Sequence, residues 1–205
     1  MILLQPGKIY HIYNRGINKC ALFYSKENYR YFLRLYDKYI DPIADTYAWA
    51  LLGNHFHLLV RIKEDSEVNL NALPIPTNAP ETGYHAVLRK PHFYFSDFFN
   101  AYSKAICKQE NRSGSLFQRP FRRILVDDPG YFSTLIVYIH NNPVHHGFTD
   151  NYKDYPWSSY RTILSFKSCR LQRERVIGWF DGRGAFISQH EQILPYELFE
   201  KYVIE

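Results

Sequence analysis

The run Tyr47-Ala48-Trp49-Ala50-Leu51-Leu52-Gly53-Asn54-His55-Phe56-His57-Leu58-Leu59-Val60-Arg61-Ile62 constrains the fold of this chain more than any other stretch. Its aromatic and β-branched content and the Gly53-Asn54 break predict two antiparallel strands joined by a tight turn. Side chains alternate along a strand, so His55 and His57 share one face and Phe56 takes the other. Two imidazoles side by side on a rigid strand suit a divalent metal, because neutral imidazole is a common ligand for borderline ions. Two polar residues on a half-exposed strand fit the spacing equally well. The apolar Leu58-Leu59-Val60 that follows favours a strand inside the sheet, where imidazoles need partners.

A chain of 205 residues is long enough for one domain with a proper core. Hydrophobic residues make up 46% and aromatics 18%, which excludes a disordered chain. The 18 Tyr and 15 Phe suit nucleobase stacking as well as a core. A net charge of +5 and a pI near 9.0 favour an anionic partner, nucleic acid first. Cys20, Cys107 and Cys169 have neither a disulfide nor a zinc spacing, which fits a reducing cytosol. Pro6-Gly7 stops the short apolar start, and no run approaches the roughly 20 apolar residues of a membrane span. A soluble, cytoplasmic protein with no membrane partner is expected.

Ile9 to Arg15 alternates as a first strand, with His11 and Tyr13 on one face. Ser25 is placed to cap a helix reaching about Tyr39. Residues 63 to about 95 read as a long irregular loop rich in Asn and Pro. Ser96-Asp97 then predicts the start of a second helix, whose stripe Phe98, Phe99, Tyr102, Ala105 and Ile106 faces the sheet. On helical spacing alone, Tyr102 is a core residue. A basic turn leads to a short strand ending near Val126, and Asp128-Pro129 opens a third helix that stops at Asn141-Asn142-Pro143. His140, His145 and His146 are expected to bond free carbonyls at that helix end. A last helix is expected around Tyr196 to Val203. This order predicts an α+β fold with helices on one face of an antiparallel sheet.

Tyr10-His11-Ile12-Tyr13-Asn14-Arg15-Gly16, Gly53-Asn54-His55-Phe56-His57-Leu58-Leu59-Val60, Tyr102 ahead of Gly114-Ser115-Leu116-Phe117-Gln118, Tyr138-Ile139-His140-Asn141-Asn142-Pro143-Val144 and Trp157-Ser158-Ser159-Tyr160 occur in that order. With these marks the chain resembles the single-tyrosine transposases that carry a His-hydrophobe-His motif, in the branch associated with repetitive extragenic palindromes. The resemblance implies a ferredoxin-like antiparallel sheet with helices packed on it over residues 1–160. A C-terminal helical or irregular extension, 161–205, would pack on the same domain. It implies that His55 and His57 hold Mg²⁺ or Mn²⁺, that Tyr102 is the nucleophile, and that the substrate is single-stranded DNA next to a small hairpin. It leaves open a homodimer, with the tyrosine acting in its own subunit or in its partner's.

Attack by the phenol on a metal-polarised phosphate would leave a 5′-phosphotyrosine and free a 3′-hydroxyl, and another strand's 3′-hydroxyl could reverse the step. Lys104, Lys108 and Arg112 on the tyrosine helix, Arg119, Arg122 and Arg123 beyond it, and Arg15 are the candidate phosphate contacts. The family's third metal ligand, one turn past the tyrosine, is replaced here by Ile106. Gln109 lies about 10 Å along the axis from Tyr102, and His11 and Asn14 are further candidates. Two other functions remain: a hairpin-DNA-binding protein of this fold that does not nick, and a metal-dependent hydrolase that uses water.

Overall fold

A computed structural model describes residues 2–75, 87–128 and 130–192. Four strands, β1 (Ile9–Arg15), β2 (Ala44–Leu52), β3 (His55–Ile62) and β4 (Arg122–Leu125), form one antiparallel sheet in the order β2-β3-β1-β4. Helix α1 (Lys26–Tyr39) links β1 to β2 across β3, and α2 (Pro91–Gln109) links β3 to β4 across β1. These two split β-α-β units make the ferredoxin-like topology.

Local chemistry accounts for the first units. Leu51 pairs with Phe56 and Leu52 with His55, leaving only Gly53-Asn54 in the turn. In β3 the alternation sends Phe56, Leu58, Val60 and Ile62 to one face. There they meet Phe32 and Leu35 of α1 and Phe98, Phe99 and Tyr102 of α2. Ser25 caps α1 reciprocally with Asn28, as its position before the periodic run requires.

Several boundaries differ from the sequence reading. Helix α2 begins at Pro91, ahead of Ser96: a proline at the first helical position loses no hydrogen bond, and Ser96 Oγ instead donates to the carbonyl of His92 inside the helix. Asp97 is ion-paired with Arg89. Helix α3 (Gly130–His145) runs through Asn141, Asn142 and Pro143 rather than stopping there. Pro129 and the helix expected around Tyr196 to Val203 lie outside the described residues.

The second face of the sheet is also covered. Leu135, Ile136 and Ile139 of α3 pack on Tyr47, Ala48, Ala50 and Leu52 of β2 and Leu59 of β3, with Val176, Phe180 and Phe186 beyond them. Val176 belongs to α5 (Arg173–Trp179), Phe180 caps the end of that helix, and Phe186 belongs to α6 (Arg183–Glu191); both helices follow the short α4 (Tyr160–Leu164). Helices therefore flank both faces, where one face had been expected. Among the described residues no helix is long and apolar enough to cross a membrane.

Candidate metal and tyrosine site

His55 and His57 project from β3 toward α3 and are fully buried. Antiparallel pairing sets Arg15 of β1 beside His55, and Tyr13 beside His57. His11, two residues earlier on β1, reaches the same patch: its Nε2 is 2.9 Å from Nδ1 of His57. From α3, the Tyr138 ring stands edge-on to His57 with centroids 5.5 Å apart, and 6.4 Å from His11. Asn142, one helical turn later on the same side, brings Oδ1 to 3.0 Å from Nε2 of His55.

Burial is the main force on the imidazoles. It pushes His11 and His55 down to about 3, and His57 well below the ordinary histidine value, helped by the neighbouring imidazoles. These rings are therefore neutral at physiological pH, the form in which histidine binds metal. With Nδ1 of His57 against His11, its Nε2 is buried without a hydrogen-bond partner among the described residues. Nδ1 of His55 lies 2.7 Å from Oδ1 of Asn54, so its Nε2 lone pair faces the Asn142 oxygen. Either the amide turns its nitrogen to the ring, or a cation satisfies both lone pairs. Among the described residues no group of three or more His, Cys, Asp and Glu is disposed around an ion, so a third protein ligand would be the Asn142 amide oxygen. The donor set, two neutral imidazoles and one carbonyl oxygen, fits Mg²⁺ less readily than Mn²⁺ and accommodates both.

Tyr102 is not in this patch. Its helix faces the sheet, as its stripe predicts, but on the Phe56 side: the ring packs on Phe32 and Phe117 at 5.0 and 6.1 Å. Its hydroxyl donates to the carbonyl of Leu22 at 2.7 Å, and burial raises its pKa further above the phenol value. The sheet itself stands between Tyr102 and the two histidines. Gln109 and Asn14 fall on that side too. Gln109 accepts from Asn28, and Asn14 alternates with His11 and Arg15 on β1. Of these three candidates His11 alone lies on the face of His55 and His57, its Nε2 against Nδ1 of His57.

Two tyrosines meet the histidines, Tyr13 of β1 and Tyr138 of α3, and the sequence pattern alone gives Tyr138 no role. The signal was available. Tyr138 and Asn142 are four residues apart on one helix, and that helix follows two others that already cover the first face of the sheet.

The cations divide between faces in the same way. Arg15 is nearly buried in the histidine patch, its Nε without a partner among the described residues. Arg122 is opposite Tyr13 and exposed on that face, while Arg123, opposite Ile12, goes to the other. Arg119 is exposed in the loop before β4, and Lys104 and Lys108 are exposed on α2. Arg112 is committed to the fold, donating to Cys20 Sγ and to the carbonyl of Ser115. His140 does not bond free carbonyls: its nitrogens contact His190 Nε2 and Ser159 Oγ, both at 2.8 Å. The His146 ring lies 4.6 Å from that of His55.

A ferredoxin-like sheet with a paired-histidine face beneath a tyrosine-bearing helix is the arrangement that the sequence marks imply for tyrosine transposases. The comparisons point the same way. No family model matches the chain. A curated relative, a putative REP-associated tyrosine transposase of Haemophilus influenzae, is 28% identical over 116 residues, which are 57% of this chain and 58% of that protein. The match thus spans little more than half the length of the relative. A solved REP-associated tyrosine transposase, bound to a REP hairpin, superposes with a TM-score of 0.55 over 80% of this chain and 83% of that one, at 13% identity. This is a likeness of fold. The resemblance read from the motifs therefore extends to a curated sequence and to a solved structure of the same description.

Proposed function

We propose that this chain is a transposase-like DNA strand-transferase that nicks and rejoins single-stranded DNA beside a hairpin, with Tyr138 as nucleophile in place of Tyr102. The observation that carries the reading is the Tyr138 ring set edge-on to His57, on the sheet face that also holds His55 and Arg15. The names of the two similar proteins, one of them bound to a hairpin, support the substrate class.

In this reading His55, His57 and Asn142 would hold Mg²⁺ or Mn²⁺, which would supply polarisation of the scissile phosphate and offset charge developing on its oxygens. Tyr138 Oη attacks phosphorus, the bond to the 3′ oxygen breaks, and the strand is left with a free 3′-hydroxyl and a 5′-phosphotyrosine. Arg15 and Arg122 attract the phosphate from the same face. His11 fixes which His57 nitrogen faces outward. The nearby imidazoles, depressed to about 3, are weak bases, so the phenol proton passes to solvent or substrate.

His55 and His57 have no exposed surface in the described state. That burial is the one observation favouring a second reading, a hairpin-binding protein that does not nick. Incubation of the protein with hairpin-flanked single-stranded DNA and Mn²⁺ separates the two. The first predicts a covalent adduct that disappears in Tyr138→Phe and persists in Tyr102→Phe. Tyr13 also stacks on His57, with centroids 6.0 Å apart, and serves as a control. An adduct that survives Tyr138→Phe and vanishes in Tyr13→Phe moves the role to Tyr13; binding without any adduct leaves the second reading.

A further inference from the structure

On the opposite side of the sheet, α2, β4 and the loop before β4 enclose a cleft of about 440 Å³ that the proposed cleavage does not use. This volume is within the range of small-ligand sites, about 300–1,000 Å³. Side-chain amides of Asn14, Asn100 and Gln118, the cations Arg119 and Arg123, and the Phe121 ring line it, and none of its lining residues is acidic. The Arg123 guanidinium lies over the Phe121 ring, 4.7 Å from its centroid. Nε and Nη1 of Arg123 are buried and have no hydrogen-bond partner among the described residues.

Buried guanidinium nitrogens are ordinarily paired, and partial burial here already works against the charge of Arg123. The two unsatisfied nitrogens lie on different edges of the guanidinium plane, and each makes a fork with Nη2, the geometry that grips two oxygens of a phosphate. The half-buried Phe121 ring, one face of which Arg123 covers, and the amide groups beside it suit a nucleobase: the ring supplies apolar contact, and the amides supply donors and acceptors for a base edge. A bare phosphate would leave the ring and amides unused.

We infer that this cleft holds one unpaired nucleotide of the bound DNA strand, its phosphate on Arg123 and its base against Phe121 and the amides of Asn14, Asn100 and Gln118. The inference rests on the DNA-binding part of the proposed function and is independent of the nick. It gives the protein a grip on the strand across the sheet from the histidines, so anchoring and chemistry occupy separate faces. Arg119 and Arg123, which the His-face site leaves out, acquire a common role.

The test compares fluorescence anisotropy of two labelled oligonucleotides with the full chain: a hairpin with a single-stranded flank and the same hairpin blunt-ended. Arg123→Gln, and Ser103→Trp at the half-buried cleft wall, are each checked for folding by thermal melting. Both are expected to weaken the flanked hairpin roughly tenfold and to leave the blunt one unchanged. Arg123→Gln is also expected to lower the salt dependence by about one phosphate. Unchanged affinity for the flanked hairpin in folded Ser103→Trp and Arg123→Gln overturns the cleft assignment alone. Equal weakening of both oligonucleotides overturns the unpaired nucleotide in favour of duplex contact. Failure of the unmodified chain to bind either one overturns the DNA reading and this inference with it. Displacement of the flanked hairpin by micromolar deoxynucleoside monophosphate would assign the cleft to a free nucleotide instead.

Discussion

Tyr102 and Tyr138 are both buried phenols packed on the same four-stranded sheet, and alternation along β3 separates them: Phe56 faces the first, His57 the second. The stripe on α2 correctly identified Tyr102 as sheet-facing, but periodicity within one helix cannot say which face of a sheet the helix covers. That depends on the connection order of the whole domain. Tyr102→Phe removes a hydrogen bond to Leu22 and leaves its buried carbonyl unsatisfied, a loss of about 1–2 kcal/mol in urea denaturation with no loss of the DNA adduct. At the ligand position, His57→Ala is expected to abolish any Mn²⁺-dependent rise in melting temperature, since binding to the folded state alone raises stability by mass action. A rise of equal size in His57→Ala would remove His57 from the ligand set.

At the scale of elements, β1, α1 and the β2–β3 hairpin were legible because each carries its own signal: strict alternation, a Ser25 cap, a two-residue turn. The ends of α2 and α3 were not, because both turn on prolines. Pro91 opens a helix and Pro143 sits within the last turn of one, and tertiary contacts decide between starting, ending and tolerating. What binds the C-terminal helices to the sheet was also hidden, since it depends on pairs distant in sequence. Residues 157–159 run beside β2: Leu51 N–H donates to the Trp157 carbonyl, and Ser159 N–H to that of Trp49. Ser159 Oγ in turn accepts from Trp49 N–H and lies 2.8 Å from Nε2 of His140. Ser159→Ala therefore orphans a backbone donor of β2 and a ring nitrogen of α3 at once. The expected cost is about 1–3 kcal/mol, together with faster proteolysis in the segment from α4 to α6. Wild-type stability and cleavage pattern in this variant would show that residues 157–159 are held by apolar contacts alone.

Across the whole molecule, the buried histidines among the described residues form two groups on the second face, His11, His55 and His57 under Tyr138, and His140 with His190 behind α3. In the second group the donors can be traced. His190 Nδ1–H donates to the Phe186 carbonyl, so its Nε2 accepts from His140 Nδ1–H, and His140 Nε2 accepts from the Ser159 hydroxyl. Every ring is neutral in that chain, and burial holds His190 down to about 4 and His140 well below its ordinary value. The first group is depressed for the same reason, His11 and His55 to about 3. An imidazole with a lowered folded pKa takes up its proton first in the unfolded chain. Its contribution is complete above the unfolded value, about 6.5, and is lost as pH falls from there toward 3 to 4. Within that window each such group removes about 1.4 kcal/mol of stability per pH unit. Several acting together would consume the roughly 5–15 kcal/mol of an ordinary domain within one to two units. Urea denaturation at pH 7.5, 6.5, 5.5 and 5.0 should thus show constant stability down to about 6.5 and a steep decline below it, with acid unfolding well above the range where carboxylates titrate. In His190→Phe, which removes one titrating ring at the end of the chain, the decline should be shallower by one proton. A flat profile to pH 4.5 would mean that the rings carry protons in the folded state, and the neutral ligand pair proposed for the metal would fall with it.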